Sequence, residues 1–103
     1  MTMWRSRKLL DQAEGKPCML QIPEVCHGRT DSVVACHSNL SIHGRGYGLK
    51  SHDWACSWGC LECHAVIDSG SGLVRLEKEY YFMRGMSRTL TVLFQDGVIG
   101  ILI

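Results

Sequence analysis

The sequence has only two prolines, and no apolar run reaches the roughly 18 to 20 residues that a membrane-spanning helix needs. Its first 15 residues contain no apolar stretch of signal-peptide length. These absences argue against a membrane or secreted protein. Hydrophobic residues make up 46% and charged residues 20% of the 103, as in folded proteins. We therefore expect one soluble, cytoplasmic domain over residues 1–103, since so short a chain cannot bury two independent cores.

The chain also lacks a large charge of either sign. Eleven basic residues against ten acidic ones give a formal net charge of +1. A strongly basic surface, which many nucleic-acid-binding proteins use to attract phosphates, is thereby excluded. Any contact with nucleic acid must come from a local patch.

Six cysteines are the most informative residues present. In an intracellular protein thiols stay reduced, so metal ligands explain them better than disulfides. Structural zinc sites usually take two close ligand pairs from separate turns, and a Cys-x-x-Cys spacing supplies one pair. The predicted zinc ligands are Cys18, Cys26, Cys60 and Cys63. The alternative is that Cys60 and Cys63 are buried free thiols. We interpret Cys36 and Cys56 as small packing residues.

Helical periodicity predicts three helices in a small α+β fold. Residues 4–14 form an amphipathic pattern that ends at a glycine, and residues 73–94 form a longer one. A short helix over 64–68 should follow the second cysteine pair. The longer C-terminal helix is expected to pack over the elements that carry the metal ligands.

The remaining segments predict strands and a loop. Residues 18–22 and 32–36 are rich in β-formers and are expected to pair. Residues 39–53 contain Gly44, Gly46 and Gly48, which predict a loop with tight turns. The apolar residues 98–103 should add an edge strand or dock on the core, and would also suit a dimer interface.

Three polar residues form a candidate catalytic set. His64 and Asp68 are four residues apart, so on a helix they share one face and could hold a divalent ion on a scissile phosphate. His37, at the end of a predicted strand, could deprotonate the attacking water. Each also has a structural explanation: His64 orienting the zinc thiolates, Asp68 as a helix-end carboxylate and His37 as a half-buried strand residue.

An ordered set of motifs resembles the YbcO-like nuclease family of phages and prophages. The motifs are Lys16-Pro-Cys18, Ile22-Pro-x-Val-Cys26, Ala35-Cys-His37, Gly48-Leu-Lys50, Asp53, and Cys60-x-x-Cys-His64 followed by Ile67-Asp68. The resemblance covers about residues 6–68 and continues more loosely to the C-terminus. That family is placed with the HNH, or ββα-metal, nucleases. The resemblance therefore implies a small zinc-bound ββα-metal core between the two outer helices.

By the same resemblance His37 is the general base, and His64 and Asp68 hold a catalytic magnesium or manganese ion. Asp53 lies near the place of the middle asparagine of HNH enzymes. The sequence departs from the usual HNH pattern at Cys36, since an Asp or His ordinarily precedes the general base. A missing ligand there would weaken metal binding.

Two functions follow from the sequence. The first is a metal-dependent DNA endonuclease that hydrolyses phosphodiester bonds. The second is a non-catalytic zinc module that binds DNA or a protein partner, and the neutral net charge favours it.

Basic residues are the candidate phosphate contacts, unless they are only solvated surface: Arg29, Arg45, Lys50, Arg5, Arg7 and Lys8. Trp54 and Trp58 could stack on unpaired bases or belong to the core. No thioredoxin-like pattern supports a redox role for Cys60 and Cys63.

Overall fold

A computed structural model describes residues 2–69 and 72–102, and within them the chain forms three helices and one two-stranded sheet. The elements in order are α1 (Arg7–Asp11), β1 (Val34–His37), a 3₁₀ turn (Ser41–His43), β2 (Cys56–Gly59), α2 (Leu61–Asp68) and α3 (Arg75–Gln95). The predicted α+β class is confirmed. No helix among these residues has the length and apolarity to cross a membrane.

The predicted strand pair is wrong in its partners. β1 pairs antiparallel with β2, with Val34 opposite Gly59 and His37 opposite Cys56. Residues 18–22 form no strand, because Gln21 has a φ of 45° and turns the chain there. Their apolar side chains still serve the core: Leu20 is fully buried, and the Met19 N–H donates to the Trp58 carbonyl at 2.8 Å.

Helix α1 is shorter than the predicted 4–14. Ser6 begins it, since its side-chain oxygen accepts from the Leu9 N–H at 3.2 Å. Residues before Ser6 cannot be helical because their backbone pairs elsewhere. The Trp4 N–H donates to His52 Nδ1 at 3.0 Å, and the Trp4 carbonyl accepts from the Asp53 N–H at 3.0 Å. The N-terminal segment is thus tied to the loop before β2.

The other predicted elements differ less. Helix α2 begins three residues before the predicted 64–68, directly after Cys60, and α3 agrees with the predicted 73–94 to within two residues. Residues 98–102 form no strand, and Ile103 lies outside the described residues. Val98 and Ile99 close the end of α3 instead, where their N–H groups donate to the Leu93 carbonyl.

Helix α3 crosses the sheet at β2. The Trp58 N–H donates to the buried Thr89 hydroxyl at 3.0 Å, and Trp58 is itself buried. Trp58 is therefore a core residue, not a stacking platform for bases. Arg84 of α3 donates to the Leu20 and Gln21 carbonyls at 2.9 and 3.0 Å, which fixes the turn at Gln21.

Gly85 marks the closest approach of α3 to β2. A Cβ atom there would overlap the Ser57 side chain and lie 3.1 Å from the Met19 carbonyl oxygen. We expect Gly85→Ala to lower the free energy of unfolding by about 1–2 kcal/mol, because overpacking outweighs the gain in helix propensity. Urea denaturation followed by circular dichroism measures it. Gly100→Ala, where a Cβ meets open space, is the control, and equal stability of the two variants would contradict the close crossing.

Candidate functional site

Four cysteine sulfurs meet at the junction of the 18–26 segment and α2. The Sγ atoms of Cys18, Cys26, Cys60 and Cys63 all lie within 4.8 Å of one another. A tetrahedral zinc ion with bonds of about 2.3 Å needs sulfurs separated by about 3.8 Å, so small shifts would complete the site. The structure thus brings together the four cysteines that the spacing predicted. This sulfur cluster could hold a metal ion such as zinc.

The backbone presents these sulfurs in two different ways. Glu24, with a φ of 65°, helps the chain reverse, and the Cys26 N–H closes the turn onto the Ile22 carbonyl at 2.9 Å. Cys60 precedes the first residue of α2 and Cys63 lies in its first turn. A helix start favours thiolates, because its free N–H groups carry partial positive charge.

Backbone N–H groups point at the sulfurs, as they do around structural metals. The Cys60 N–H donates to Cys18 Sγ at 3.3 Å. Burial alone would raise the pKa of Cys18, but hydrogen bonds from the Gln21 and Cys60 N–H groups hold it below its usual value. Burial raises the pKa of Cys60 and of Cys63. An all-sulfur donor set of this kind suits a soft or borderline cation such as zinc.

The other two cysteines lie outside this cluster. Cys36 and Cys56 are both buried in the sheet. Burial raises the pKa of Cys56 to about 12 and raises that of Cys36 further, so both are neutral thiols at pH 7. This placement agrees with their predicted packing role.

His37 forms a hydrogen-bonded pair with Asp53. Its Nε2 lies 2.8 Å from Asp53 Oδ1, and the sheet register explains the contact, because His37 lies opposite Cys56, three residues after Asp53. Arg5 Nη1 also donates to Oδ1 at 2.9 Å, and the Ser6 N–H donates to Oδ2 at 2.8 Å. Both oxygens of this buried carboxylate are therefore satisfied.

The charge of Asp53 fixes the tautomer of His37. Burial would raise the pKa of Asp53, but hydrogen bonds from His37, the Ser6 N–H and Arg5 together hold it below its usual range. An ionised carboxylate can only accept, so His37 must donate from Nε2. The lone pair on Nδ1 is then available to accept a proton.

Cations surround the pair. A surface pocket is lined by Arg5, Arg7, Leu10, His37, Lys50 and Asp53, and a neighbouring one shares Arg7, His37 and Lys50. Arg5 already donates to Asp53 and to the Lys50 carbonyl. Arg7 and Lys50 are therefore the cations of this pocket that can receive an anion.

The other predicted phosphate contacts lie elsewhere. Arg29 forms a two-pronged ion pair with Asp31 at 3.0 and 2.9 Å, which neutralises it. Arg45 is exposed in the loop, and Lys8 lines a different groove with Trp4 and Trp54. Trp54 is partly exposed and stacks on His52, with ring centroids 5.5 Å apart.

His64 and Asp68 contact each other on one face of α2, as their spacing predicted. His64 Nε2 lies 2.9 Å from Asp68 Oδ2, and Asn39 Nδ2 donates to Asp68 Oδ1 at 3.0 Å. Asn39 is two residues beyond His37, so the end of α2 lies near the end of β1 that carries His37. Among residues 2–69 and 72–102, no third histidine, cysteine or carboxylate side chain joins either pair closely enough to share a metal ion.

The sequence did not reveal two of these partners. The role of Arg5 depends on the pairing of its segment with residues 51–53, which no local pattern announces. The contact of Asn39 with Asp68 is only weakly indicated by the sequence. Asn39 closely follows His37, and its side-chain amide can reach the helix that follows β2.

We expect Cys63→Ala to lose its metal and unfold, because the ion would join the 18–26 segment to the start of α2, and the sheet between them has strands of four residues each. The parent protein should carry about one zinc ion per chain by elemental analysis. Cys56→Ala removes a buried thiol outside the cluster and should keep the metal. A Cys63→Ala protein that keeps its zinc would contradict the assignment of Cys63 as a ligand, and a folded, metal-free variant would contradict the dependence of folding on the ion.

We expect Asp53→Asn to lower the free energy of unfolding at pH 7 by about 2 kcal/mol, since it weakens hydrogen bonds from charged donors. The pKa of Asp53 is lowered in the folded chain, so its stabilisation is full above the unfolded pKa of about 3.9 and is lost as the pH falls through the folded pKa. The free energies of unfolding of parent and variant should therefore approach each other as the pH falls below about 4.

The control is Asp31→Asn, which removes an exposed surface pair and should change stability little. A difference between Asp53→Asn and the parent that stayed constant down to pH 3 would show that Asp53 acts through packing and not through its charge.

The chain is similar to known proteins. Residues 7–98 match the family model described as "Putative nuclease YbcO". The chain is 34% identical over 89 residues to the proteins of that name from Escherichia coli (strain K12) and from Enterobacteria phage 82, covering 84% of this chain and 91% of each relative.

A solved structure is also similar. It is described as a "putative bacteriophage protein" from Escherichia coli str. K-12 substr. MG1655, and it matches with a TM-score of 0.67 and 28% identity over 85% of this chain and 98% of that one. On the breadth of the sequence match, this chain belongs to the YbcO family.

Proposed function

We propose that this chain is a metal-dependent DNA endonuclease of the HNH, or ββα-metal, type, with His37 as the general base. The observation that carries the proposal is the His37–Asp53 pair beside a pocket of cations. The order β1, β2, α2, with the histidine on the first strand, is the arrangement that such enzymes use, and the relatives are named as nucleases. A nuclease acting on bacterial or phage DNA would work in the cytoplasm.

The proton step uses His37 and Asp53. Nδ1 of His37 accepts a proton from a water molecule as the water oxygen attacks phosphorus, and the bond from phosphorus to one deoxyribose oxygen breaks so that this oxygen leaves. Asp53, bound to Nε2–H at 2.8 Å, stabilises the imidazolium that forms and keeps the ring oriented. General-base catalysis of this kind contributes roughly 10²- to 10⁴-fold to a rate.

Arg7 and Lys50 hold the phosphate in this proposal. Both line the pocket that contains His37, and the Arg7 contact with Asp11 is exposed and long at 3.9 Å. Guanidinium and ammonium groups bind phosphate oxygens with charge-assisted hydrogen bonds. They position the DNA backbone without reading its sequence.

His64 and Asp68 are the proposed ligands of a catalytic magnesium or manganese ion, with Asn39 beside them. Their half-exposed side chains, at 34% and 46%, leave room for the water and phosphate oxygens that such ions keep in their coordination shell. Once bound, the ion would neutralise charge on the leaving oxygen. Cys36 cannot add a ligand of the usual HNH kind, because it is a buried neutral thiol.

Zinc in the sulfur cluster is proposed to be structural. Four protein sulfurs complete a tetrahedron and leave no position for water or substrate. The ion would hold the start of α2 against the 18–26 segment, which places His64 and Asp68 at a fixed distance from the sheet.

The alternative is a non-catalytic zinc module that binds DNA or a protein partner. It is favoured by one observation, that His64 and Asp68 have no third histidine, cysteine or carboxylate beside them among the described residues. Magnesium and manganese tolerate such a sparse protein shell, because carboxylate and water oxygens suit them, whereas a tightly held zinc or copper ion needs more protein ligands.

Cleavage of supercoiled plasmid with magnesium or manganese tests the proposal. We expect His37→Ala to lose at least 10²-fold in rate, because the general base is absent, and Lys50→Gln to lose activity by weaker phosphate binding. His27→Ala, an exposed histidine away from the pocket, is the control. All variants are first checked for bound zinc and for folding.

A His37→Ala protein that cleaves as fast as the parent would refute the assigned base. If neither protein cleaves while both retain zinc and bind DNA, the binding module is the better account.

A further inference from the structure

A tight turn at residues 46–49 carries a tyrosine that the proposed chemistry does not use. Gly46 and Leu49 pair with each other in both directions, with N···O distances of 3.3 and 3.0 Å. Gly48 has a φ of 71°, which closes the turn. Tyr47, at its tip, is fully exposed. We call residues 46–49 the Tyr47 turn.

Both ends of the Tyr47 turn are anchored. Before it, the His52 N–H donates to the His43 carbonyl at 3.0 Å, and His43 is buried against the Ser38 hydroxyl. After it, Arg5 donates to the carbonyls of Lys50 and Ser51. The tyrosine therefore projects from a supported base, and its position relative to the sheet is fixed by contacts on either side.

A single exposed aromatic residue is ordinary on a protein surface. Its neighbours make this one unusual. Leu49 in the same turn is also exposed, at 53%, and the cations Arg45 and Lys50 flank the turn in the sequence. Apolar rings and methyl groups between positive charges match nucleic acid with unstacked bases, which offers apolar faces next to phosphates. An apolar protein surface would complement this turn less well than nucleic acid does, because it offers no negative charge to the cations on either side.

The turn lies near the proposed active centre. Lys50, three residues after Tyr47, lines the pocket that contains His37. Three residues of chain span at most about 11 Å. The reach of the two side chains adds to this distance, and Tyr47 lies close enough for one short stretch of DNA to contact both its ring and Lys50.

We propose that Tyr47 stacks on an unpaired base of the DNA substrate, close to the phosphate that His37 acts on. The inference rests on the proposed nuclease function and names its substrate class: DNA that contains unpaired bases. In an uninterrupted duplex both faces of every base are covered by neighbouring bases, so the ring can reach a face only where stacking is already broken.

Binding measured with a chelator of magnesium and manganese separates stacking from cleavage. The probes are a DNA duplex, the same duplex with an internal loop of unpaired thymines, and a third with 2-aminopurine in that loop. Stacking on tyrosine quenches 2-aminopurine fluorescence, and fluorescence anisotropy gives the Kd. Retained zinc is checked in every sample.

We expect Tyr47→Ala to weaken binding of the looped duplex about tenfold and to leave the uninterrupted duplex unchanged, since base stacking is worth that order of affinity. Tyr47→Phe should restore both affinity and quenching because it keeps the ring. Tyr80→Ala removes an exposed tyrosine on α3 and should behave as the parent.

Equal affinity of Tyr47→Ala and the parent for the looped duplex would overturn the proposal, as would quenching that persists without the ring. Cleavage assays run separately with magnesium or manganese. If binding depends on Tyr47 but no DNA is cleaved, the nuclease proposal is refuted and the stacking site stands. If DNA is cleaved but Tyr47→Ala changes nothing, the stacking site is refuted and the nuclease proposal stands.

Discussion

The arrangement of the site depends on four sulfurs that lie within 4.8 Å of one another. The two strands have four residues each and supply few hydrogen bonds, so the sheet alone does not fix the segments that carry the sulfurs. The buried core packs beside the sulfur cluster, and a bound ion would join the 18–26 segment to the first turn of α2. From that junction α2 runs back along the sheet and reaches Asn39. The position of His64 and Asp68 along the sheet therefore depends on where Cys60 and Cys63 place the start of the helix.

A second constraint is the buried carboxylate of Asp53. It gathers an N-terminal arginine, a backbone N–H and a strand histidine at distances of 2.8 to 2.9 Å. These donors come from segments far apart in the chain, so one side chain fixes the N-terminal segment, the long loop and the end of β1 together. The same hydrogen bonds that stabilise the fold set the tautomer of His37. Stability and the proposed chemistry thus share one group.

Local sequence patterns predicted the features that depend on residues close together in the chain. The spacing of Cys60 and Cys63, the helical face shared by His64 and Asp68, and the extent of α3 all follow from short-range geometry. The pairing of β1 with β2 did not, because it joins residues about 20 apart and competes with the nearer β-prone run at 18–22. Residues 18–22 were wrongly predicted to form a strand. Their apolar side chains pack in the core, as those of a strand would, but Gln21 turns the chain. The contact between Arg5 and Asp53 has no local signature at all.

The proposed zinc ion has a consequence for the life of the chain in a cell. Cys26 and Cys60 belong to the two halves of the cluster, so a long loop must close before the ion can bind all its ligands, and until then the thiols stay exposed. An unloaded chain is open to proteases and to oxidants. The supply of zinc would thereby set how long each newly made copy survives.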